Sequence, residues 1–491
     1  MCRDNEHGGR RCNNVNTQVG KQLQNLNAKK QYCERKLKQQ LSKSDQEKIQ
    51  KKLTNTLSQI ADLKEEKKSY GEGKNFVMKL TQHTETVLNQ LAQDGFEAYI
   101  VGGSVRDVLM GKESKDVDIE VYGGTGDEIA ASLKKIGKVD AVGQAFGVLK
   151  IRLGKEDFDV SLPRRDSKTG EGHTGFDVEV DPNLSLEEAT ERRDYTINAL
   201  MYSHKHGFII DKHGGLKDLK NKQLKHVSDA FDEDPLRVLR GVQMSSRFDM
   251  ELHPDTVEKA KSLKHEFSSI AKERVQMEFQ KLYEKGQSSD KALKLLQQTE
   301  WDENLPGLKE ANTEQLRSQV ATMQTMITDK TIPKNRREVF LSASIASGIK
   351  DPKTRTQFLS YTCVGDKIKN EALQLTLLTS PSELTSENLK NWSYDMPRGL
   401  NVNDWVLLET SKGNKKQAEA VKWEAIKAGV LHNYEKDLID GNDLLEFASD
   451  RKMGKWVGST LKAVRAAQYQ GAFSDKSSAL KWLKENGVVE N

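Results

Sequence analysis

The sequence predicts an α+β protein: a head built on a small mixed sheet, an all-helical neck, body and tail behind it, and a helical hairpin in front. Three observations carry this reading. Strand-like runs are confined to residues 75–225. Helical spacing dominates from Asp234 to the end, interrupted by Pro306, Pro333, Pro352, Pro381 and Pro397. Residues 1–74 contain no proline and show apolar residues only at helical intervals.

In that first segment Val19, Leu23, Leu26, Cys33 and Leu37 recur at three-and-four spacing, as do Ile49, Leu53, Leu57, Ile60 and Leu63. Between them Ser44 and Glu47 have the spacing of a capping box. A helical hairpin or short coiled coil is expected, ending in a linker at 69–74 with Gly71 and Gly73. The segment carries 17 Lys/Arg against 9 Asp/Glu, a net +8, so the remainder of the +4 chain is at −4. A basic arm can bind phosphates; a solvated helical extension explains the same charges.

Residues 75–225 form the expected head. Helical spacing in Phe76–Gln93 leads to the strand run 98–101. Val117, Ile119 and Val121 then alternate with Asp116, Asp118 and Glu120. Residues 148–151, 158–160 and 208–210 read as further strands. Beyond the head we expect a neck at 226–300, a body at 301–430 and a tail at 431–491.

Composition narrows the class. The chain is 35% hydrophobic and 31% charged, which suits an elongated helical protein with much solvated surface. No apolar run approaches the roughly 20 residues that cross a bilayer, and the polar first 20 residues lack a secretory core; a soluble, cytoplasmic protein with no membrane partner is expected. Four cysteines make no disulfide framework, and Cys2, His7 and Cys12 fit no common zinc spacing.

The chemistry concentrates in Gly102-Gly103-Ser104-Val105-Arg106-Asp107, followed by Asp116-Val117-Asp118. The glycine pair follows a strand and opens a helix, where a backbone without Cβ atoms can approach a triphosphate and helix-start amides favour anions. Arg106 adds a cationic fork. Asp116 and Asp118, two apart in a strand, point to one face. Two carboxylates there suit a cation with hard oxygen ligands, Mg2+ above all. Alone, the pair would be an ordinary polar strand face. Asp159 could complete the metal site from a neighbouring strand, or simply face solvent.

Together, Gly102 to Glu120, with Leu109 and Gly111, resemble the signature of the class II CCA-adding tRNA nucleotidyltransferase and bacterial poly(A) polymerase family. The resemblance implies a polymerase-β-like nucleotidyltransferase head with Asp116 and Asp118 holding magnesium. Arg192 to Leu200 is similar to the family's second motif, which implies Arg193 on the triphosphate and Asp194 and Asn198 on the ribose. Asp211, Gly215, Asp218 and Leu219 match its third. Glu233 to Arg240 matches its fourth, which implies base reading by Asp234 and Arg237, with Arg240 near the phosphates. A carboxylate accepts and a guanidinium donates, so one such pair can take the shared donor–acceptor edge of cytosine and adenine and reject uracil and guanine.

Where the family often carries an arginine three residues after Arg240, this chain has Gln243. Residues 166–175 are similar to the mobile loop between the first two motifs; an ordinary long hairpin loop is nearly as good a reading. Residues 270–282 resemble the family's neck helix, and 438–468 its tail, where Gly454 and Gly458 beside Lys455 and Lys462 could bind backbone phosphate or merely bound a helix. After His265 only His432 remains, which disfavours a His-rich hydrolase domain.

The resemblance thus implies Mg-dependent, template-independent addition of C and A from CTP and ATP to the 3′ end of tRNA. Poly(A) polymerase and CC-only or A-only addition share every core motif. From a different class, a non-catalytic RNA-binding protein on a degenerate head stays open. The sequence leaves oligomeric state open.

Overall fold

The structure, a computed structural model, describes residues 30, 33–34, 36–37, 42–54, 57, 78–112, 117–140, 147–168, 176–181 and 184–487. Val19, Leu23, Leu26, Ile60, Leu63, the linker at 69–74 and Asp116 lie outside the described residues. Contacts divide the chain into two compact units, one running through Arg237 with 252–259, the other comprising 238–251 and everything from Ala260 on.

In the first unit, residues 43–54 are helical. The cap lies two residues earlier than the sequence suggested. Ser42 Oγ accepts from Asp45 N at 3.3 Å and donates to Asp45 Oδ2 at 2.6 Å, so the Ser-x-x-acid pattern of 42–45 is the one in use. The helix expected over 76–93 is shorter as well. Thr81 accepts from Thr84 N and starts α1 at Gln82–Gln93.

The head strands are β1 (Glu97–Val101), β2 (Asp118–Tyr122), β3 (Lys138–Asp140), β4 (Val148–Leu153), β5 (Glu156–Ser161), β6 (Arg164–Lys168), β7 (Phe176–Val180), β8 (Met201–Ser203) and β9 (Phe208–Ile210). Seven of them form one sheet in the order β3-β4-β5-β2-β1-β8-β9, mixed because β2 and β5 run parallel. The others, β6 and β7, pair with each other as a β-ribbon, so 166–168 of the expected mobile loop at 166–175 belong to a strand; the rest of it, 169–175, lies outside the described residues.

Alternation gives the sheet two unlike faces. Ile100, Ile119, Val121, Leu149, Ile151, Phe158 and Val160 are buried on one face with Leu88 and Leu91 of α1 and with Ile129 and Leu133 of α3 (Gly126–Lys134). Each such side chain contributes roughly 1.5–3 kcal/mol relative to exposure. On the other face Tyr99, Val101, Tyr122, Met201 and Ile210 are covered by Leu184 and Ala189, the latter in α4 (Leu186–Glu191). That cover stops short of β4 and β5, whose Lys150, Arg152, Asp157 and Asp159 are exposed. The helix α2 (Gly103–Leu109) follows β1 directly.

The second unit is helical, as expected. Its main helices begin with the bulk of α6 (Leu236–Phe248) and continue as α7 (Lys272–Lys285), α8 (Ser289–Gln298), α9 (Glu314–Thr328), α10 (Arg337–Ala346), α11 (Pro352–Thr362), α12 (Asp366–Leu377), α13 (Ser386–Tyr394), α14 (Val402–Ser411), α15 (Lys415–Lys427), α16 (Gly441–Phe447), α17 (Lys455–Tyr469) and α18 (Lys476–Asn486). The prolines punctuate it. Pro352 takes the first position of α11 behind an Asp351 cap, and Pro381 and Pro397 stand between helices. Leu444, Val464 and Leu483 of the last three helices share a small core of their own, separate from that of Leu389, Trp405 and Val421. No helix of the described residues is long and apolar enough to cross a membrane.

Candidate active site

The site is built where β2 leaves the covered part of the sheet. Asp118, Glu120 and Tyr122 share one face, but their surroundings change along the strand: Asp118 is exposed, Glu120 is 0% exposed and Tyr122 is buried. Asp118 lies opposite Val101 on one side and Asp159 on the other, in the parallel register. Asp118 and Asp159 therefore present carboxylates to one open face from adjacent strands, whose backbones run about 4.8 Å apart. The sequence leaves Asp159 either in the metal site or facing solvent, and the register puts it beside Asp118. Lys150 Nζ approaches Asp159 Oδ1 at 3.5 Å from the next strand.

The glycine pair has a structural reason different from the one the sequence suggested. A Cβ on Gly102 would sit 3.3 Å from Arg193 Nη1, and one on Gly103 would sit 3.2 Å from Arg106 Nη2. Each glycine makes room for a guanidinium. Gly102 also has φ +73°, open to glycine at little cost. Arg106 is buried and committed: Nε and Nη2 donate to Asp107 Oδ1 at 2.9 and 2.7 Å, and Nη1 donates to Asn198 Oδ1. Asn198 Nδ2 in turn donates to Asp194 Oδ1 at 2.9 Å.

Asp194 and Asn198 thus meet, though not on a helix face as expected. Tyr195 is extended and bridges to His226, and residues 196–198 form a single 3-10 turn. Asp194 Oδ1 also accepts from Tyr195 N at 2.7 Å, which holds the turn open at its start. The third motif buttresses it. Asp211 accepts from Gly215 N and Leu216 N at the start of α5 (Gly215–Lys220), and Asp218 Oδ2 accepts from Thr196 Oγ1 at 2.7 Å. A Cβ on Gly215 would fall 2.2 Å from Thr196 O, so only glycine lets α5 lie against the turn.

Arg193 Nη2 donates to Glu120 Oε2 at 3.0 Å, Arg192 Nη2 reaches the same oxygen at 3.3 Å, and Tyr122 OH donates to Oε1 at 2.5 Å. Burial, then the neighbouring Glu120 carboxylate, pushes the Tyr122 hydroxyl far above its ordinary range. Glu120 and Tyr122 join the arginines of the site, and sequence reasoning did not single them out. Glu120 appeared only as the end of a motif, and the sign that set it apart is a carboxylate between Ile119 and Val121 in the buried stretch of β2.

Asp234 caps α6, its Oδ1 accepting from Leu236 N at 3.2 Å. Arg237 donates from Nη1 to Ala230 O at 2.5 Å and from Nη2 to Arg192 O at 2.6 Å. A guanidinium has five N–H groups, so these two bonds leave capacity for a ligand. Arg240 lies three residues on in the same helix, half-buried. Gln243 is buried, and its Oε1 has no hydrogen-bond partner.

Comparison with known proteins agrees with this geometry. Residues 98–225 match a family model described as the poly A polymerase head domain, and 249–312 match one described as a probable RNA and SrmB binding site of polymerase A. A CCA-adding enzyme of Oceanobacillus iheyensis is 30% identical over 389 residues, covering 77% of this chain and 90% of its own length. The chain belongs to the family of CCA-adding enzymes and poly(A) polymerases. A CCA-adding enzyme of Coxiella burnetii is 40% identical over 185 residues, or 37% of this chain and 47% of its own. Among solved structures, the Bacillus stearothermophilus CCA-adding enzyme in complex with CTP superposes with TM-score 0.61 at 25% identity, covering 83% of this chain and 98% of that one. The Thermotoga maritima CCA-adding enzyme complexed with tRNA shares the fold at TM-score 0.61 and 20% identity, covering 83% of this chain and 96% of that one. The family membership agrees with the α+β head and helical remainder read from the sequence.

Proposed function

We propose that this tRNA nucleotidyltransferase adds C and A, from CTP and ATP, to the 3′ end of tRNA on the open face of the head sheet. The observation that carries this reading is the in-register pair Asp118 and Asp159, beside Gly102 and an arginine pair anchored on Glu120. Asp118 and Asp159, with Asp116 two residues before Asp118, supply a hard-oxygen set that fits Mg2+. When bound there, magnesium would offset the charge of the triphosphate and favour ionisation of the tRNA 3′-hydroxyl. That hydroxyl attacks the α-phosphate, a new P–O bond forms, and pyrophosphate leaves.

The protein's own part is positioning and charge stabilisation. Arg193 grips the triphosphate across Gly102. Asp194 and Asn198 take the ribose; their carboxylate and amide suit a 2′-hydroxyl, which both donates and accepts. Arg106 acts by holding Asn198 rather than by reaching the nucleotide. Asp234 accepts from the exocyclic amine of cytosine or adenine while Arg237 donates to the adjacent ring nitrogen, and Arg240 lies toward the phosphates. Uracil or guanine would leave both groups mispaired, at about 1–3 kcal/mol each. A cytoplasmic site of action follows from the tRNA substrate. The domain limits at 75–225, 226–300, 301–430 and 431–491 stand as part of this proposal.

The test is incorporation of labelled CTP and ATP into tRNA transcripts ending before the CCA, after CC, or complete. Asp118→Ala should abolish incorporation while tRNA binding survives, and Asp159→Ala should cost at least about a hundredfold, the order reached when one stabilising group is removed from a transition state. Full activity in Asp118→Ala refutes the assignment. A long A ladder on unrelated RNA would instead mark a poly(A) polymerase.

A further inference from the structure

Two residues beyond the exposed Asp118, Glu120 is fully buried, with three donors converging on its two oxygens: Tyr122 OH, Arg192 Nη2 and Arg193 Nη2. A buried carboxylate held this completely is costly to assemble unless its partners gain something from it. What they gain is direction. The three ionic groups sum to one excess positive charge, and Arg193 passes beside Gly102, where an added Cβ would sit 3.3 Å from its Nη1 and 4.0 Å from Asp118 Oδ2. Arg193 Nε is buried without a hydrogen-bond partner, so its orientation depends heavily on the Nη2 bond to Glu120. An arginine free to swing would pay rotamer entropy each time it gripped a phosphate; one already braced loses little.

We infer that Glu120 is a positioning residue for nucleotidyl transfer, acting through Arg193 to preset the grip on the triphosphate common to CTP and ATP, with Tyr122 fixing the carboxylate in turn. This rests on the assignment of the head as the nucleotide site. It goes beyond that assignment by naming a group that touches neither metal nor substrate.

The experiment compares the unaltered protein with E120Q, Y122F, R193A and the double variant E120Q/R193A. KM and kcat for CTP and for ATP, tRNA affinity and thermal melting are measured for each. E120Q keeps the shape of the side chain and removes the charge that aligns Arg193. It should raise KM for CTP and ATP by a similar factor, roughly tenfold or more, as expected for a lost hydrogen bond to a charged group. The affinity for tRNA should stay unchanged. In the R193A background the same substitution should add less than about twofold, since residues acting as one unit are non-additive. Y122F, which removes one neutral donor, should raise KM by about two- to fivefold.

An unchanged KM in E120Q overturns the inference, as does an equal loss from E120Q with and without Arg193. A lowered melting temperature with wild-type KM marks Glu120 as merely structural and overturns it too. Should E120Q fail to fold, Y122F decides: a wild-type KM there is the contrary result. The unaltered protein separates this inference from the reading beneath it. If it incorporates neither C nor A, nucleotidyl transfer itself fails; if it incorporates both, only the role of Glu120 is at stake.

Discussion

Both units of the chain bury charges, and they use them differently. In the head, Glu120, Arg106 and Asp194 are buried, and Arg192 and Arg193 outweigh the Glu120 carboxylate they share. In the helical unit, Arg336 donates to Glu371 Oε2 at 2.6 Å, Asp404 Oδ2 at 2.9 Å and Gly399 O at 3.0 Å, joining the start of α10 to α12 and α14. Arg355 likewise gives its donors to Ile349 O and to Thr376. These networks tie helix to helix. The head network stops at a face where a triphosphate would complete it. The difference teaches that buried charge bears on function when its network ends beside an exposed site, as Glu120 does two residues from Asp118, and on architecture when it ties helices together.

The comparison breaks most sharply at Arg336. Removing it leaves Asp404 buried without its cation and Glu371 with only the exposed Lys367 at 4.0 Å; burial already raises the Asp404 carboxyl above its usual range. Arg336→Ala should cost about 3–5 kcal/mol of stability, the range for breaking a buried pair from one side, read by urea denaturation. KM for CTP and ATP should stay at the wild-type value at a temperature where the variant is folded. An unchanged melt, or a KM shift in the folded variant, would show that the two networks are not distinct in kind.

Asn198 offers the opposite case. It is buried, yet its loss should fall on selection more than on stability. Asn198→Ala severs the chain from Arg106 to Asp194 and removes a ribose partner, so the preference for CTP over dCTP in kcat/KM should fall by about ten- to hundredfold, equivalent to roughly 1–3 kcal/mol. Equal losses on CTP and dCTP would place Asn198 in the scaffold instead.

How much of this was legible depends on the distance over which each feature is specified. The runs at 98–101 and 158–160 and the alternation at 117–121 were readable, and they fall in Glu97–Val101, Glu156–Ser161 and Asp118–Tyr122. The motif residues were readable because a long pattern sits in few positions. The partners were not. Arg106 meets Asn198 across 92 residues and Arg193 meets Glu120 across 73, and no local period announces either. The strand register that sets Asp159 beside Asp118 is decided by a parallel pairing within a mixed sheet, which alternation alone cannot choose. The misplaced cap at Ser44 shows the converse: two overlapping Ser-x-x-acid patterns are equal locally, and only the helix start separates them.

The smallest expected effect is the most specific. Glu338 at the start of α10 has a buried Oε1 without a hydrogen-bond partner, and burial together with nearby Glu284 pushes its carboxyl from 4.5 up to about 7. The folded-state value exceeds the unfolded one, so the folded protein prefers the neutral carboxyl. Near pH 4.5 ionisation costs little stability; the penalty builds as pH rises toward 7 and is constant above it. Glu338→Gln mimics the neutral form. Discounted for partial exposure, it should stabilise the protein by about 1–2 kcal/mol at pH 8 and by much less at pH 5. Because the site lies in the helical unit, CTP and ATP kinetics should not follow this pH dependence. Urea denaturation of both proteins at the two pH values reads the difference directly. An equal shift at pH 5 and pH 8 would mean that packing, not ionisation, governs Glu338, and a nucleotide KM that tracked its titration would join to catalysis a charge that the comparison assigns to architecture.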